Sequence, residues 1–150
     1  MTVDHAETFG RSALALTEVD KSIVNRYGVA ALDGTTHGEG LGIATLVEKP
    51  EPQTEPSLLT ITGRYVLASE IWHLLEQLDP GRNGEIQLTD ALDALAAKST
   101  LDGIETRGER HDLGNPLSWL QANISYGISI YGEEWLNYIP SACDWAKRRS

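Results

Sequence analysis

Apolar residues follow two patterns along the chain, short unbroken runs bounded by turn formers and longer stretches at helical spacing. The short runs are typical of strands. They predict strands over residues 12–19, 27–32, 43–48, 58–67 and 102–107. Apolar residues three or four positions apart predict helices over 70–78, around 88–95 and over 116–131. We expect residues 133–150 to form a short helix and a frayed tail.

The connections between these elements are rich in turn formers. Residues 33–40 are dense in them and predict an exposed hairpin loop. The segment that follows Lys49 contains three prolines, which cannot continue a strand ladder. They are Pro50, Pro52 and Pro56. We therefore expect the chain to leave the sheet directly after Lys49, which places this lysine at the end of a strand.

Polar residues mark the starts of the predicted helices. Ser69 is a candidate N-cap for the first helix, and Pro116 fits the first turn of the third. At the start of the second helix, Thr89 or Asp90 is expected to satisfy first-turn amides, while Glu85 faces solvent. These residue types explain the helix starts without requiring a catalytic or binding role for them.

The composition excludes several classes of protein. A formal net charge of −10 and a pI near 4.7 disfavour nucleic-acid binding, because a phosphate backbone would be repelled. Cys143 is the only cysteine, so no internal disulfide can form, which fits a reducing cytoplasm. The first residues resemble no secretory signal, and no apolar run approaches a membrane span. We therefore predict a cytoplasmic protein that does not enter a membrane.

Glu48 and Lys49 are the most informative pair of charged residues. At a strand end the backbone can turn, so the two side chains can converge on one ligand. A carboxylate accepts hydrogen bonds from vicinal sugar hydroxyls, and an ammonium is a compact charge suited to a phosphate. The pair thus describes a sugar-phosphate site. The alternative is an exposed ion pair that ends an edge strand.

Other candidate residues are harder to assign. Asp112 lies in a glycine-flanked polar loop, where it is either a metal ligand or a residue that orders the loop. The four histidines are scattered without metal-ligand spacing: His5, His37, His73 and His111. Cys143 has no evident partner base and is expected to be an inert thiol. The residues alone therefore leave the metal question open.

Five short segments carry a resemblance to a known family. They are Tyr27-Gly28-Val29, Val47-Glu48-Lys49-Pro50, Gly63-Arg64-Tyr65, Glu85-Ile86-Gln87-Leu88-Thr89-Asp90 and His111-Asp112-Leu113-Gly114. Over residues 12–131 the chain resembles the C-terminal half of bacterial-type UTP–glucose-1-phosphate uridylyltransferases, or UDP-glucose pyrophosphorylases. The resemblance implies that Glu48 contacts the hexose hydroxyls, that Lys49 contacts the sugar-linked phosphate, and that Gly28 brings the backbone close to the sugar. It also implies Asp112 as a second metal ligand.

The resemblance further implies a fold and a reaction. The expected fold is α/β, an incomplete Rossmann-like nucleotidyltransferase sheet with flanking helices. Residues 1–131 would form its sugar-phosphate-binding part, and residues 132–150 a short helix and basic tail. The family converts UTP and glucose 1-phosphate into UDP-glucose and pyrophosphate, with Mg²⁺ expected in the complete enzyme. Residues 85–90 are expected to shape the wall of the sugar pocket and a subunit contact.

The nucleotide-binding half of that family has no counterpart in these 150 residues. The glycine-rich loop with Thr-Arg, the uracil-reading residues and the aspartate for the catalytic metal are all missing, so UTP is expected to bind only with the missing half. A truncated sheet would expose a strand edge and an apolar face. This predicts a separate N-terminal half or a homo-oligomer. The alternatives are a non-catalytic sugar-phosphate-binding or regulatory module and an inactive remnant; no activity is expected from the chain alone.

Overall fold

The computed structural model describes residues 2–80, 84–108, 110–111 and 113–147, without the side chains of 142, 143, 145 and 146. The chain forms two compact units, residues 1–107 and 108–150. The boundary that the sequence suggests after residue 131 stays a prediction.

The first unit contains five strands and three helices within its described residues. The strands are β1 (Ser12–Glu18), β2 (Gly28–His37), β3 (Gly40–Glu48), β4 (Leu59–Val66) and β5 (Leu101–Glu105). The helices are α1 (Thr2–Phe9), α2 (Glu70–Glu76) and α3 (Leu88–Ala97), and a single 3-10 turn covers Val24–Arg26. All five predicted strands and both predicted helices of this region are confirmed. Helix α1 was not predicted.

The strands form one mixed sheet whose order is closed. β1 is antiparallel to β4 and parallel to β5, and β3 is antiparallel to both β2 and β5. The remaining neighbours, β2 and β4, are joined by the antiparallel pair Val29↔Thr60. Each of these five strands therefore has two neighbours, in the order β1-β4-β2-β3-β5. The α/β class is confirmed, but the expected open strand edge is wrong for the described strands, because the β2–β3 hairpin reaches back to β5.

The hairpin itself is longer than the sequence suggested. Residues 33–37 were expected in a loop but continue β2, and β3 begins already at Gly40. Only residues 38 and 39 lie between the strands, and Gly38 has a positive φ of 61°. A glycine in this conformation reverses the chain within two residues. Residues 33–36 are nevertheless exposed, as predicted.

The core lies between the sheet and the helices α2 and α3. Leu14 and Leu16 of β1 are fully buried and belong to the same cluster as Ile43 of β3. Leu92 and Leu95, three positions apart on α3, are also fully buried. The helical spacing of the leucines therefore marks the face of α3 that packs on the sheet. Ser69, in contrast, does not cap α2, since its side chain makes no capping hydrogen bond.

A buried carboxylate fastens α1 to the sheet. Asp102 on β5 is fully buried and accepts two hydrogen bonds from the Arg11 guanidinium, at 2.8 and 2.9 Å. His5 Nε2 lies 2.8 Å from the Asp102 carboxylate, and His37 Nδ1 lies 3.2 Å from it. The His5 ring occupies the space beside Gly40, where a Cβ atom would come within 2.3 Å. Two of the four scattered histidines, His5 and His37, thus meet at one carboxylate.

The second unit is a pair of helices. α4 spans Pro116–Tyr131, as predicted, and the Asn115 side chain accepts a hydrogen bond of 2.9 Å from Ser118 N at its start. α5 spans Glu133–Lys147 and is longer than the expected short helix. The predicted tail, residues 148–150, lies outside the described residues, as does the side chain of Cys143. Across the described residues, no helix combines the length and apolar character that a membrane span requires.

Asp102→Ala tests the fastening of α1. We expect the free energy of unfolding at neutral pH to fall by roughly 3–5 kcal/mol, because the substitution leaves the guanidinium of Arg11 without its buried counter-charge. Urea denaturation followed by circular dichroism measures the change. Asp20→Ala is the control, since Asp20 is exposed and accepts a hydrogen bond from the nearby Ser22 N–H. Equal, small changes in both variants would contradict this role of Asp102.

The same variant gives a pH dependence. Burial raises the pKa of Asp102, but the hydrogen bonds from Arg11 and His5 lower it. Together with the charge of Arg11, they outweigh the effect of burial, so the net shift of the pKa is downward. A depressed carboxyl pKa stabilises the fold above the unfolded pKa, and this contribution is lost as the pH falls through the folded pKa. The stability difference between wild type and Asp102→Ala should therefore shrink only on strong acidification. A difference that disappears at neutral pH would contradict the assignment.

Candidate functional site at the end of strand β3

The chain turns out of the sheet directly after Glu48, one residue earlier than predicted. Strand β3 ends at Glu48, and Lys49 has a positive φ of 45°. The Lys49 N–H donates a hydrogen bond of 3.1 Å to the carbonyl of Tyr27. A positive φ in a residue with a Cβ costs roughly 1 kcal/mol. The surrounding structure therefore offsets the backbone strain at Lys49.

The turn brings the two charged side chains to one place. Lys49 Nζ lies 3.8 Å from Glu48 Oε1. The lysine side chain is 67% exposed and the glutamate side chain 30% exposed. An ion pair that is this accessible contributes little to stability. Both groups therefore remain available to a ligand.

Thr89 holds the other oxygen of the Glu48 carboxylate. Its hydroxyl lies in the first turn of α3 and donates a hydrogen bond of 2.7 Å to Glu48 Oε2. The N-cap of α3 is Gln87, without a side-chain capping bond. The expected capping role of Thr89 is therefore wrong, because its hydroxyl is engaged by a carboxylate from β3.

Asp93, one turn further along α3, holds the backbone of the same strand. Its carboxylate accepts hydrogen bonds from Thr45 Oγ1 at 2.6 Å and from Leu46 N at 2.8 Å. Helix α3 therefore contacts β3 through two successive turns on one face. Sequence reasoning missed this residue, since an aspartate in a helix usually faces solvent.

The absence of a side chain at Gly28 gives the carboxylate its room. Gly28 pairs with Glu48 across the β2–β3 ladder. A Cβ atom on Gly28 would lie 2.8 Å from Ile61 Cδ1, 3.0 Å from Glu48 Oε2 and 3.5 Å from Thr89 Oγ1. A side chain at this position would therefore have to displace the Ile61 methyl group or the Glu48 carboxylate. The predicted contact of Gly28 with a sugar stays a prediction.

Tyr65 of the third sequence segment also belongs to this region. Burial raises the pKa of the Tyr65 phenol, and the negative charge of Glu48 raises it further. This coupling places the β4 tyrosine within electrostatic reach of the carboxylate. Three further residues from the segments that carry the family resemblance, Gly28, Lys49 and Thr89, therefore meet at Glu48, and Tyr65 lies within reach of its charge.

The described residues offer no metal site. No three His, Cys, Asp or Glu side chains come together as metal ligands in this part of the chain. Asp112, the predicted metal ligand, lies outside the described residues. The arrangement at Glu48 instead combines a hydrogen-bond acceptor with an exposed ammonium, which suits a ligand carrying both hydroxyls and a phosphate.

The electrostatic contact between Glu48 and Tyr65 is testable. In Glu48→Gln, the pKa of Tyr65 should fall because a neighbouring negative charge is gone, and should stay above its ordinary value because the burial remains. NMR titration of ¹³C-labelled tyrosine rings through a pH of about 10 measures the change. Glu51→Gln, at an exposed position nearby in sequence, is the control. If the pKa of Tyr65 were unchanged in Glu48→Gln, the two residues would not interact electrostatically.

Comparison with known proteins supports the resemblance. Residues 1–127 match the family described as nucleotidyl transferase. The UTP–glucose-1-phosphate uridylyltransferase of Escherichia coli (strain K12) is 45% identical over 107 residues, covering 70% of this chain and 35% of that protein. A crystal structure of UDP-glucose pyrophosphorylase complexed with UDP-glucose has a TM-score of 0.74 at 32% identity, covering 81% of this chain and 46% of that one.

A second solved structure agrees, the UTP-bound UGPase from Acinetobacter baumannii. Its TM-score is 0.77 at 30% identity, and the match covers 92% of this chain and 48% of that one. The present chain therefore spans about half the length of these structures, and about a third of the Escherichia coli protein. The chain belongs to the nucleotidyl transferase family, and within it is similar to the UTP–glucose-1-phosphate uridylyltransferases.

Proposed function

We propose that this chain provides the glucose 1-phosphate-binding part of a UTP–glucose-1-phosphate uridylyltransferase. The observation that carries the proposal is the convergence of Glu48 and Lys49 at the end of β3, with both side chains accessible. The similarity to uridylyltransferases over most of the chain supports the same reaction class.

Recognition divides between the two charged residues. The Glu48 carboxylate accepts hydrogen bonds from hexose hydroxyls, and the Lys49 ammonium contacts the phosphate through charge-assisted hydrogen bonds. The flexible stem of Lys49 allows the ammonium to move from Glu48 towards a phosphate. Gly28 keeps the carboxylate pocket open by leaving out a side chain.

The reaction requires groups that these residues do not provide. In it, a phosphate oxygen of glucose 1-phosphate attacks the α-phosphorus of UTP, and the bond to the departing pyrophosphate breaks. The role of Glu48 and Lys49 is to position the attacking phosphate and to reduce its charge repulsion with UTP. The nucleotide site is supplied by a further part of the protein or by a separate nucleotide-binding half.

Magnesium belongs to the proposal for the complete enzyme. The described residues provide no cluster of metal ligands, so no step here is assigned to the ion. Asp112, which lies outside the described residues, remains a proposed ligand. We also propose a cytoplasmic location, which is consistent with the single cysteine of these residues.

A non-catalytic sugar-phosphate-binding or regulatory module is the alternative function. It uses the same site, so binding alone does not separate the two. Pyrophosphate release from UTP and glucose 1-phosphate does, when the chain is mixed with a nucleotide-binding half. Release that requires both parts supports the enzyme, and none from the mixture supports the module.

Lys49→Ala tests the proposed phosphate contact. We expect the affinity for glucose 1-phosphate, measured by calorimetry, to fall roughly tenfold, since a hydrogen bond to a charged group is lost. Lys98→Ala is the matched control, because Lys98 follows the far end of α3 and pairs there with Glu70. If both variants bind as tightly as the wild type, Lys49 is not in the site; if the wild type does not bind, the proposed function is wrong.

A further inference from the structure

The hydrogen bond between Thr89 and Glu48 joins two segments that lie 41 positions apart. Thr89 is 7% exposed, so its hydroxyl has little access to solvent. The bond occupies Oε2, while Oε1 is the oxygen on the side of the Lys49 ammonium. The two carboxylate oxygens are therefore in different environments before any ligand binds.

We propose that Thr89 is a positioning residue that determines how well the site distinguishes a hexose phosphate from a bare phosphate. By holding Oε2, its hydroxyl orients the Glu48 carboxylate so that the remaining acceptor positions face the hexose hydroxyls. This inference rests on the proposed function, because it assumes that Glu48 contacts a sugar.

The surroundings of the pair support a fixed orientation. Asp93 attaches α3 to Thr45 and Leu46 of β3, which limits movement of Thr89 relative to the strand. On the other side, Gly28 contributes no side chain, and a Cβ atom there would lie 3.0 Å from Glu48 Oε2. A glutamate side chain has three rotatable bonds and otherwise loses this freedom when a ligand binds. Ordering it in advance improves affinity by reducing that entropic cost.

The Thr89 hydroxyl also leaves the Glu48 carboxylate enough acceptor positions for a ligand. An ionised carboxylate has about four acceptor positions, and a threonine hydroxyl donates to only one of them. Two vicinal sugar hydroxyls can therefore still donate to Glu48 while Thr89 remains bound. A purely structural role is the competing explanation, in which Thr89 only attaches α3 to β3, as Asp93 already does through two hydrogen bonds.

Thr89→Val separates these two roles, because valine keeps the shape of threonine without its hydroxyl. Calorimetry with glucose 1-phosphate and with inorganic phosphate measures the two affinities. We expect the affinity of Thr89→Val for glucose 1-phosphate to fall roughly 5- to 30-fold and that for phosphate to stay unchanged. Thr89→Ser should restore the wild-type ratio of the two affinities. Lys49→Ala should lower the affinity for both ligands.

Asp93→Asn is the control for a general loosening of α3. We expect it to lower the melting temperature and to change the ratio of the two affinities much less than Thr89→Val does, because the Thr89 hydroxyl is still present. The positioning role would be overturned if Thr89→Val bound glucose 1-phosphate as tightly as the wild type. It would also be overturned if Thr89→Val lost the same factor of affinity for both ligands. A change in this ratio in Asp93→Asn as large as that in Thr89→Val would overturn it too.

A measurement without ligand keeps this inference separate from the proposed function. NMR side-chain couplings of Glu48 should report one rotamer in the wild type and in Thr89→Ser, and averaged rotamers in Thr89→Val. If the wild type binds no glucose 1-phosphate, the proposed function fails, and the selectivity part of the inference fails with it. If Glu48 keeps one rotamer in Thr89→Val, the inference fails even where the sugar phosphate binds.

Discussion

Helix α3 lies along strand β3 and holds it by hydrogen bonds from two successive turns. Thr89 contacts the carboxylate at the end of the strand, and Asp93 contacts its backbone one turn further on. The buried leucines Leu92 and Leu95 lie on the same helix and pack against the sheet. One helix therefore connects the hydrophobic core to the orientation of Glu48, so the geometry of the site depends on how α3 packs.

Two carboxylates of the first unit differ in burial and in how much of their hydrogen-bonding capacity the protein itself uses. Asp102 is fully buried and meets the cationic Arg11 together with two histidine rings. Its hydrogen-bonding capacity is used within the protein, where it attaches α1 to the sheet. Glu48 is partly exposed and has one oxygen held by Thr89. Its remaining capacity is directed towards solvent, which is what a ligand-binding carboxylate requires.

The sequence predicted those features that depend on neighbouring residues. The five strands and helices α2, α3 and α4 follow from local apolar patterns, and the prolines after Lys49 mark the end of β3. The turn that brings Glu48 and Lys49 together is local in the same way. These features were accessible because each depends on a few consecutive residues.

Features that depend on distant residues were missed. The meeting of His5, Arg11 and His37 at Asp102 requires the closed strand order, which no spacing in the sequence reveals. Thr89 was interpreted as a capping residue because its neighbours favour helix starts, and its actual partner is 41 positions away. The eight-residue helix α1 was also not predicted, because so short a helix depends on contacts with the sheet more than on its own sequence.

The central claim is that the end of β3 recognises a sugar phosphate. Amide NMR spectra recorded during a titration of the wild-type protein with glucose 1-phosphate test it most directly. We expect chemical-shift changes concentrated at Gly28, Glu48, Lys49, Tyr65 and Thr89, with small changes in α1 and β5. Changes centred on Asp102 and α1, or no changes at a saturating sugar-phosphate concentration, would contradict it.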